Sequence, residues 1–549
     1  MPSKFDISNT NMNKLSPLQK DMQFLQSCIE NKLYKDAIKF SSEKLVLSPN
    51  EKGYKKCLAF CYDMTGELFK SKELWIQLID DDPFSEETLM NLSSVECKLG
   101  NLDSALGLLK LITQYHPDSA KPWISMAGIH LLRNEFDECA NVSMEAINKD
   151  PKNADGFQNL GSAFFHLALF DEAKHAFETA LILQPEMREA QSSLSSVFFR
   201  QDRSQEALDL LEKLISTSKV TDRYPLEQLK WSASFIYLRL GNFSKGWEYY
   251  EEGMSKNVSG TLLRRPSRTF QVPCWTPNTP ADAPVLVWRE QGIGDEVIFL
   301  TCLQDLIDLG YSVIIECDKR LINLVERSFP GVKAREAIYR LEYPHDSPHN
   351  DFGSQIPVGS LMQYFRPSLE RFIDRGGFLV PSKHLLSKWN ERLKSIHPTK
   401  KKIGISWKSG ISDPLRNAKY SALLDWDDLL NLNDYEFINL QYGDSLEEIV
   451  EVKNKFGVTI HNWDDLNLKA DIEDIFALVR NLDHVITISS AVWTFAAASG
   501  TPTSLLLHTP HWTMFNEQYT PFFSNVLCHV TSQDEKIHHL LKKTIADIN

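Results

Sequence analysis

PKNADGFQNLGSAFFHLALFDEAKHAFETALILQP, residues 151–185, decides the fold of the first half of the chain. Its bounding prolines are 34 residues apart, and the same interval separates Pro49, Pro83, Pro117, Pro151 and Pro185. Two further registers keep step with the prolines. Turn formers stand at Gly66, Gly100, Asn134 and Asp202, with Ala168 an exception that is small but no turn former. Small residues stand at Ala37, Ser71, Ala105, Cys139, Ala173 and Ala207. The three registers describe a helical hairpin. The turn residue ends the first helix. The small residue lets the second helix approach closely, where bulk would push the axes apart. The proline closes the second helix, because it has no amide proton to donate inside one.

A 34-residue period with two helices per unit is that of the tetratricopeptide repeat. The segment STSKVTDRYP, 216–225, breaks the period, which resumes in LKWSASFIYLRLGNFSKGWEYYEEG with Gly241 at the turn. After a polar tail at 1–17, about seven repeats are expected over 18–256. Such repeats stack into a superhelix with a concave groove suited to a peptide or protein. The column Cys57, Asn91, Ser125, Asn159 and Ser193, again spaced by 34, is a candidate lining. Amides at Asn91 and Asn159 suit the backbone of an extended chain. The alternative is a helix position that merely tolerates small polar residues.

The chain has 549 residues, more than the ~250–300 that one core supports, so at least two domains are expected. A net charge of −14 argues against nucleic acid as the main partner. No run approaches the ~18 apolar residues of a membrane span, and MPSKFDISNTNMNKLSPLQK lacks the apolar centre of a signal peptide. The expectation is a cytoplasmic protein without a membrane span. Nine cysteines without a CxxC pair read as reduced thiols. No metal site is expected, and His345 and His349 in YPHDSPHN lack a third ligand at usable spacing.

Residues 257–283 are rich in Pro, Thr and Arg and read as a linker, with Phe270 and Trp275 as anchors. Arg264, Arg265 and Arg268 are expected to form a solvated basic stretch or to pair with the acidic repeats, a phosphate contact being the alternative. Beyond the linker, strands and helices alternate. APVLVW, SVIIECD and VKAREAI read as the strands of one lobe, 284–395. KKIGISWKSG, YEFINLQYG, VTIHNW, HVITIS and PTSLLLH read as those of a second, 396–549. The pattern predicts two parallel Rossmann-like sheets with a ligand cleft at the carboxyl ends of the strands.

Three loops at such ends carry chemistry. Gly292-Ile293-Gly294-Asp295-Glu296 places glycines and a carboxylate at a helix start, or Asp295 is only an N-cap. Trp407-Lys408-Ser409-Gly410, with Asp413 and Arg416 beyond, suits a diphosphate, or is a solvated loop. Ser489-Ser490-Ala491-Val492-Trp493-Thr494 offers hydroxyls and free amides, or ordinary capping. His508, His511 and Trp512 after the last strand read mainly as packing.

The ordered series WREQGIGDEVIF, DFGSQIPVGSLMQYFR, GISWKSG with Arg416, NLQYGD and ISSAVWTFAAASGTPTSLLL resembles bacterial tetratricopeptide-repeat glycosyltransferases, including those acting on flagellin. Their catalytic half is similar to heptosyltransferases of the GT-B fold. The resemblance implies metal-independent transfer of a sugar from a nucleotide donor, with no further cofactor, to an acceptor protein held by the repeats. It implies Asp295 as general base. Gly292, Gly294, Lys408, Ser409, Arg416, Gln441, Tyr442, Ser489, Ser490 and Thr494 then fall on the donor side, and Asn91, Ser125, Asn159 and Ser193 in the acceptor groove. Ser489 and Thr494 depart from the Asp and His of the related pattern. Two other readings stand beside it: a repeat scaffold whose α/β half has lost catalysis, and a transferase acting on a glycan precursor.

Overall fold

The computed structural model describes residues 16–218, 226–254, 264, 268, 270–338, 349–408, 420–531 and 536–548. By compactness the chain divides into two units, Met1–Glu186 and Met187–Asn549.

The first unit is five helix pairs: Pro17–Glu30 with Tyr34–Leu47, Lys52–Met64 with Leu68–Asp81, Glu86–Lys98 with Leu102–Tyr115, Lys121–Leu132 with Phe136–Lys149, and Ala154–His166 with Phe170–Leu183. One device closes the first helix of every pair. Lys32, Gly66, Gly100, Asn134 and Ala168 all have φ between 57° and 82°. This left-handed residue turns the next amide back onto the carbonyl five residues earlier. Leu33 thus donates to Cys28, Glu67 to Tyr62, Asn101 to Glu96, Glu135 to His130 and Leu169 to Phe164, at 2.8–2.9 Å. Ala168 is therefore no exception in conformation. It adopts the turn geometry without the glycine or asparagine that takes it at low cost.

The small-residue register is equally physical. Ala37, Ser71, Ala105, Cys139 and Ala173 are all 0% exposed. The Ser71 hydroxyl donates to the Ala59 carbonyl on the facing helix at 2.7 Å. Each proline follows a helix C-cap directly, at Ser48, Asp82, His116, Asp150 and Gln184. The proline ring disfavours the helical region for the residue before it, so the helix stops there.

The second unit begins with two more pairs, Arg188–Arg200 with Ser204–Ser216 and Leu226–Arg239 with Phe243–Glu251. Asp202 (φ 62°) and Gly241 (φ 76°) make the same turn. The small position is Ala207 in one and Gly246 in the other, where a Cβ would lie 2.7 Å from the Leu238 side chain.

Two parallel sheets follow. The first holds β1 (Val285–Trp288), β2 (Val313–Cys317), β3 (Lys333–Glu336) and β4 (Ser354–Pro357), in the order β3-β2-β1-β4. The second holds β5 (Lys401–Ser406), β6 (Tyr435–Asn439), β7 (Ile460–His461), β8 (His484–Ile488), β9 (Thr503–Leu507) and β10 (Val526–Val530), in the order β10-β9-β8-β5-β6-β7. Every pairing between these strands is parallel. β1, β2, β8 and β9 are buried along their whole length, as strands covered on both faces must be. Strand order reverses between β1 and β4, and again between β5 and β8. Crevices open at such switch points, beyond the carboxyl ends of the strands.

β4 and β10 were not among the sequence-predicted strands. SQIP is four residues long and ends in proline, and β10 is an edge strand with a polar His529, so neither has the continuous apolar run of a central strand. The segment before β1 is pinned as expected. Trp275 is 0% exposed, its amide donates to the Gln355 carbonyl at 2.8 Å, and its ring lies 5.5 Å from that of Tyr311. Phe270 packs beside Trp288 and Phe352.

The turn geometry yields a stability prediction. Ala168→Gly relieves a left-handed alanine, and urea unfolding should register a gain of roughly 1 kcal/mol. An unchanged or lower midpoint would show that the alanine conformation carries no strain.

Candidate functional site

The three loops singled out in the sequence follow β1, β5 and β8, which flank the two reversals of strand order. In the first, Arg289, Glu290 and Gln291 precede the helix Ile293–Phe299. Gln291 is held at φ 58°, a costly conformation for a residue with a Cβ. Its side-chain Nε2 is buried without a hydrogen-bond partner among the described residues. Gly292 is the N-cap, so Asp295 stands at the third helical position and not at the cap. Desolvation, helped by the Glu290 carboxylate, raises the Asp295 carboxyl to about 6 against the backbone amides of Gly292 and Asp295, which act the other way. Glu296 beside it is buried. Burial pushes it up to about 7 against the nearby Arg289 guanidinium.

Two arginines of the preceding segment are buried in ion pairs, Arg264 with Glu290 of this loop and Arg268 with Glu316 of β2. Arg264 is 0% exposed and is bound by Glu290, by Glu251 at 2.9 Å and by the Ser360 hydroxyl at 3.0 Å. Arg268 is paired with the buried Glu316. A solvated stretch is thereby overturned for both. Burial demanded a carboxylate for each, and for Arg264 one of the two carboxylates, Glu251, ends the last repeat. Arg265 lies outside the described residues, as do Ser409, Gly410, Asp413, Arg416 and His345.

What is described of the second loop is tightly held. The Gln441 side-chain oxygen accepts from the Ser406 hydroxyl at 3.2 Å and from the amides of Trp407 and Lys408 at 3.1 and 2.9 Å. Gln441 is buried, and it fixes the loop from underneath. Lys408 is ion-paired with Glu448. Tyr442 is half-buried against the core.

The third loop meets the first. A Cβ on Gly294 would lie 3.4 Å from Ala491 Cα and 3.5 Å from the Thr494 hydroxyl oxygen, so glycine permits this approach of two helix starts. Ser490 caps the helix Ala491–Ser499, accepting from the Val492 amide at 3.3 Å. Thr494 is buried and donates to the Ala491 carbonyl at 2.9 Å. Ser489 alone of the three is exposed.

Ser489 borders a cavity of about 370 Å³ at the carboxyl ends of β8 and β9. That volume is within the range of small-molecule sites. Its floor is formed by Ile488, Leu506 and Leu507, and one wall by His508, His511 and Trp512. Trp512 also packs, as expected, against the rings of Phe235, Trp247 and Phe515. Phe199, Arg200, Phe235 and Arg239 of the last two repeats add a further wall, where the Phe235 ring lies 6.1 Å from that of Trp512. Sequence reasoning did not find this wall, because nothing local links a repeat helix to a strand end some 250 to 300 positions later. Asp295 is not among the lining residues.

In the repeats, the Asn159 amide donates to the Ile124 carbonyl of the neighbouring repeat at 3.2 Å. Asn91, Ser125 and Ser193 are half-buried on corresponding helices. Cys57 is buried, 4.0 Å from Cys61 across one helical turn, and the hydrogen bond with Cys61 lowers its thiol to about 7 against the effect of burial.

With this geometry in hand, the chain can be set against known proteins. Its helix pairs repeat with the 34-residue period of tetratricopeptide repeats. It is similar to FlbA of Caulobacter vibrioides, 29% identical over 417 residues that cover 73% of this chain and 68% of FlbA. The TPR repeat-containing protein YpiA of Bacillus subtilis is 22% identical over 183 residues, 33% of this chain and 43% of YpiA. Among solved structures, a tetratricopeptide repeat protein from Parabacteroides merdae covers 43% of this chain and 91% of its own, with 11% identity and a TM-score of 0.37. A thermophilic TPR protein of Thermus thermophilus covers 34% of this chain and 99% of its own, with 18% identity and a TM-score of 0.30. No family model matches the chain. Among the described residues, no helix is long and apolar enough to cross a membrane.

The raised Asp295 has a consequence for stability. Its folded pKa of about 6 exceeds the ordinary 3.8, so the native state loses stability as pH rises between those values, and the loss persists above them. Asp295→Asn should therefore raise the melting temperature at pH 8, with the difference shrinking to nothing below pH 4. A variant less stable than the native protein at pH 8 would contradict the desolvation account.

Proposed function

We propose that the α/β part of the chain is a glycosyltransferase of GT-B type. It transfers a sugar from a nucleotide donor to a protein acceptor held by the repeats. The observation that carries this reading is the 370 Å³ cavity at the ends of β8 and β9, walled by aromatic rings and basic groups, together with a carboxyl tuned to about 6 in the loop after β1. Aromatic walls suit a nucleobase, and cations suit phosphate. The strained Gln291, whose buried amide has no partner among the described residues, is a further group suited to a polar ligand. The ordered loop motifs add the resemblance to flagellin-type glycosyltransferases.

The chemistry follows from these parts. The acceptor hydroxyl oxygen bonds to the anomeric carbon. The bond from that carbon to the donor phosphate breaks, and its electron pair stays on the phosphate oxygen. The hydroxyl proton passes to Asp295, which is a base only when ionised. The charge that develops on the leaving phosphate is met by the basic wall of the cavity. The repeats raise the acceptor's effective concentration at the site.

A second reading has its own support. Thr494 is buried with its hydroxyl already bonded, and Asn159 spends its amide within the repeats. Both suit a protein whose repeats bind a partner while the α/β part no longer catalyses.

Thermal unfolding against uridine, guanosine, cytidine, adenosine and thymidine nucleotides separates the two. A ligand at 100 times its Kd stabilises by about 2.7 kcal/mol, enough to move the transition. One nucleotide class should do so, and none doing so favours the scaffold. With the matching donor, Asp295→Asn should keep nucleotide binding while turnover falls ~10²–10⁴-fold. Native turnover should rise with pH through about 6, as the carboxyl ionises.

A further inference from the structure

Phe199, Phe235 and Trp512 are among the rings that border the cavity at the ends of β8 and β9. Trp512 follows β9, whereas Phe199 and Phe235 come from the first helices of the last two repeats. Phe235 stands six residues before the left-handed turn residue of its repeat, Gly241. Ser94, Gly128, Ser162 and Ser196 hold that position in the four preceding repeats, with Gln26 and Phe60 before them. The column is therefore small through four repeats and then ends in a phenyl ring. It does so where the array meets the segment after β9: a Cβ on Gly241 would lie 3.4 Å from the Phe515 carbonyl oxygen.

Neighbouring rings hold this wall in place. The Phe235 ring lies 4.9 Å from that of Trp231 and 6.0 Å from that of Tyr250, at interplanar angles of 86° and 82°. Trp512 is held in the same way by Trp247 and Phe522, each at 6.3 Å. Phe235 and Trp512 stand 6.1 Å apart at 70°. Two rings so close and so steeply inclined leave no slot between them and form a corner. A planar ligand that stacks on one ring meets the other edge to face, and both arrangements are favoured for aromatic pairs. Side chains already fixed by their neighbours have little freedom left to lose on binding, so the contact costs little entropy. The floor beside the corner is aliphatic, formed by Ile488, Leu506 and Leu507. Rings beside such a floor suit a flat heteroaromatic body.

We propose that the nucleobase of the donor packs into the corner of Phe235 and Trp512 and against Phe199. The last two repeats are then part of the donor site and not of the acceptor array. This rests on the cavity's being the nucleotide site. Stacking tolerates any base, because every base has a π face. The wall therefore sets the affinity for a nucleotide over a bare phosphate, and not the choice among bases.

The full-length protein tests this by calorimetric titration with the nucleoside diphosphate that stabilises it most, and with inorganic pyrophosphate as a probe that lacks a base. Phe235→Leu keeps the bulk and loses the ring. It should weaken the nucleoside diphosphate about tenfold, within the roughly 5- to 150-fold that one base–aromatic contact is worth. Phe199→Leu should weaken it severalfold, and Phe235→Tyr, which keeps the ring, should bind like the native protein. Pyrophosphate should bind the native protein and both leucine variants equally. Melting temperatures report whether each variant folds. If Phe235→Leu does not fold, Phe199→Leu decides the matter on the same two ligands. Native-like nucleotide affinity in a folded Phe235→Leu would overturn the proposal and leave the transferase reading intact. So would a Phe235→Leu that weakens pyrophosphate as much as the nucleotide, since the ring would then act only through the fold. If the native protein binds no nucleoside diphosphate, both the proposal and the reading beneath it fall.

Discussion

Arg264 is the charge around which the second unit is assembled. Its guanidinium has no access to solvent and spends its donors on Glu251 at the end of the last repeat, Glu290 after β1 and Ser360 after β4. Removing one partner from a buried pair of this kind costs about 3–5 kcal/mol, because the other charge is left uncompensated. Glu290 is bound a second time by the Gly359 amide at 2.8 Å. The end of the repeat array, the loop after β1 and the turn after β4 therefore share one electrostatic fastening. The field of Glu290 reaches Asp295, so the fastening also takes part in setting the carboxyl that the catalytic reading depends on.

The same logic governs the rest of the site. Gln441 grips three donors of the loop after β5, Ser490 caps the helix after β8, and Gly294 lets the first and third loops meet. Residues that a motif places together by type thus divide by task. Some hold the loops, and others face open space. Ser489, His508 and His511 face the cavity, whereas Thr494 and Gln441 are enclosed.

What could be read in the sequence was whatever depends on local backbone geometry. The 34-residue registers were legible because a left-handed turn, a crowded helix crossing and a proline after a cap each restrict one position. Ala168 and Lys32 were harder, since conformation there is imposed by neighbours and not announced by residue type. The central strands were legible as apolar runs, and short or edge strands such as β4 and β10 were not. The loops after β1, β5 and β8 stood out through their Gly and Ser content. The wall formed by Arg239 and Phe235 did not, because it arises from distant segments meeting in space. The buried state of Arg264 was hidden for the same reason: its partners lie 13, 26 and 96 positions away.

The closing turn of each hairpin has a further meaning for how the array breathes. The hydrogen-bond pattern is the same in every repeat, so the energy of holding it shut depends on the residue that bears the positive φ. Gly66 and Gly100 bear it freely, Asn134 nearly so, and Lys32 and Ala168 under strain. In a repeat array each hairpin contributes its own local stability. The amides behind Lys32 and Ala168 are then the first to exchange with solvent and those behind the glycines the last, so the order in which the hairpins open is written in one residue per repeat.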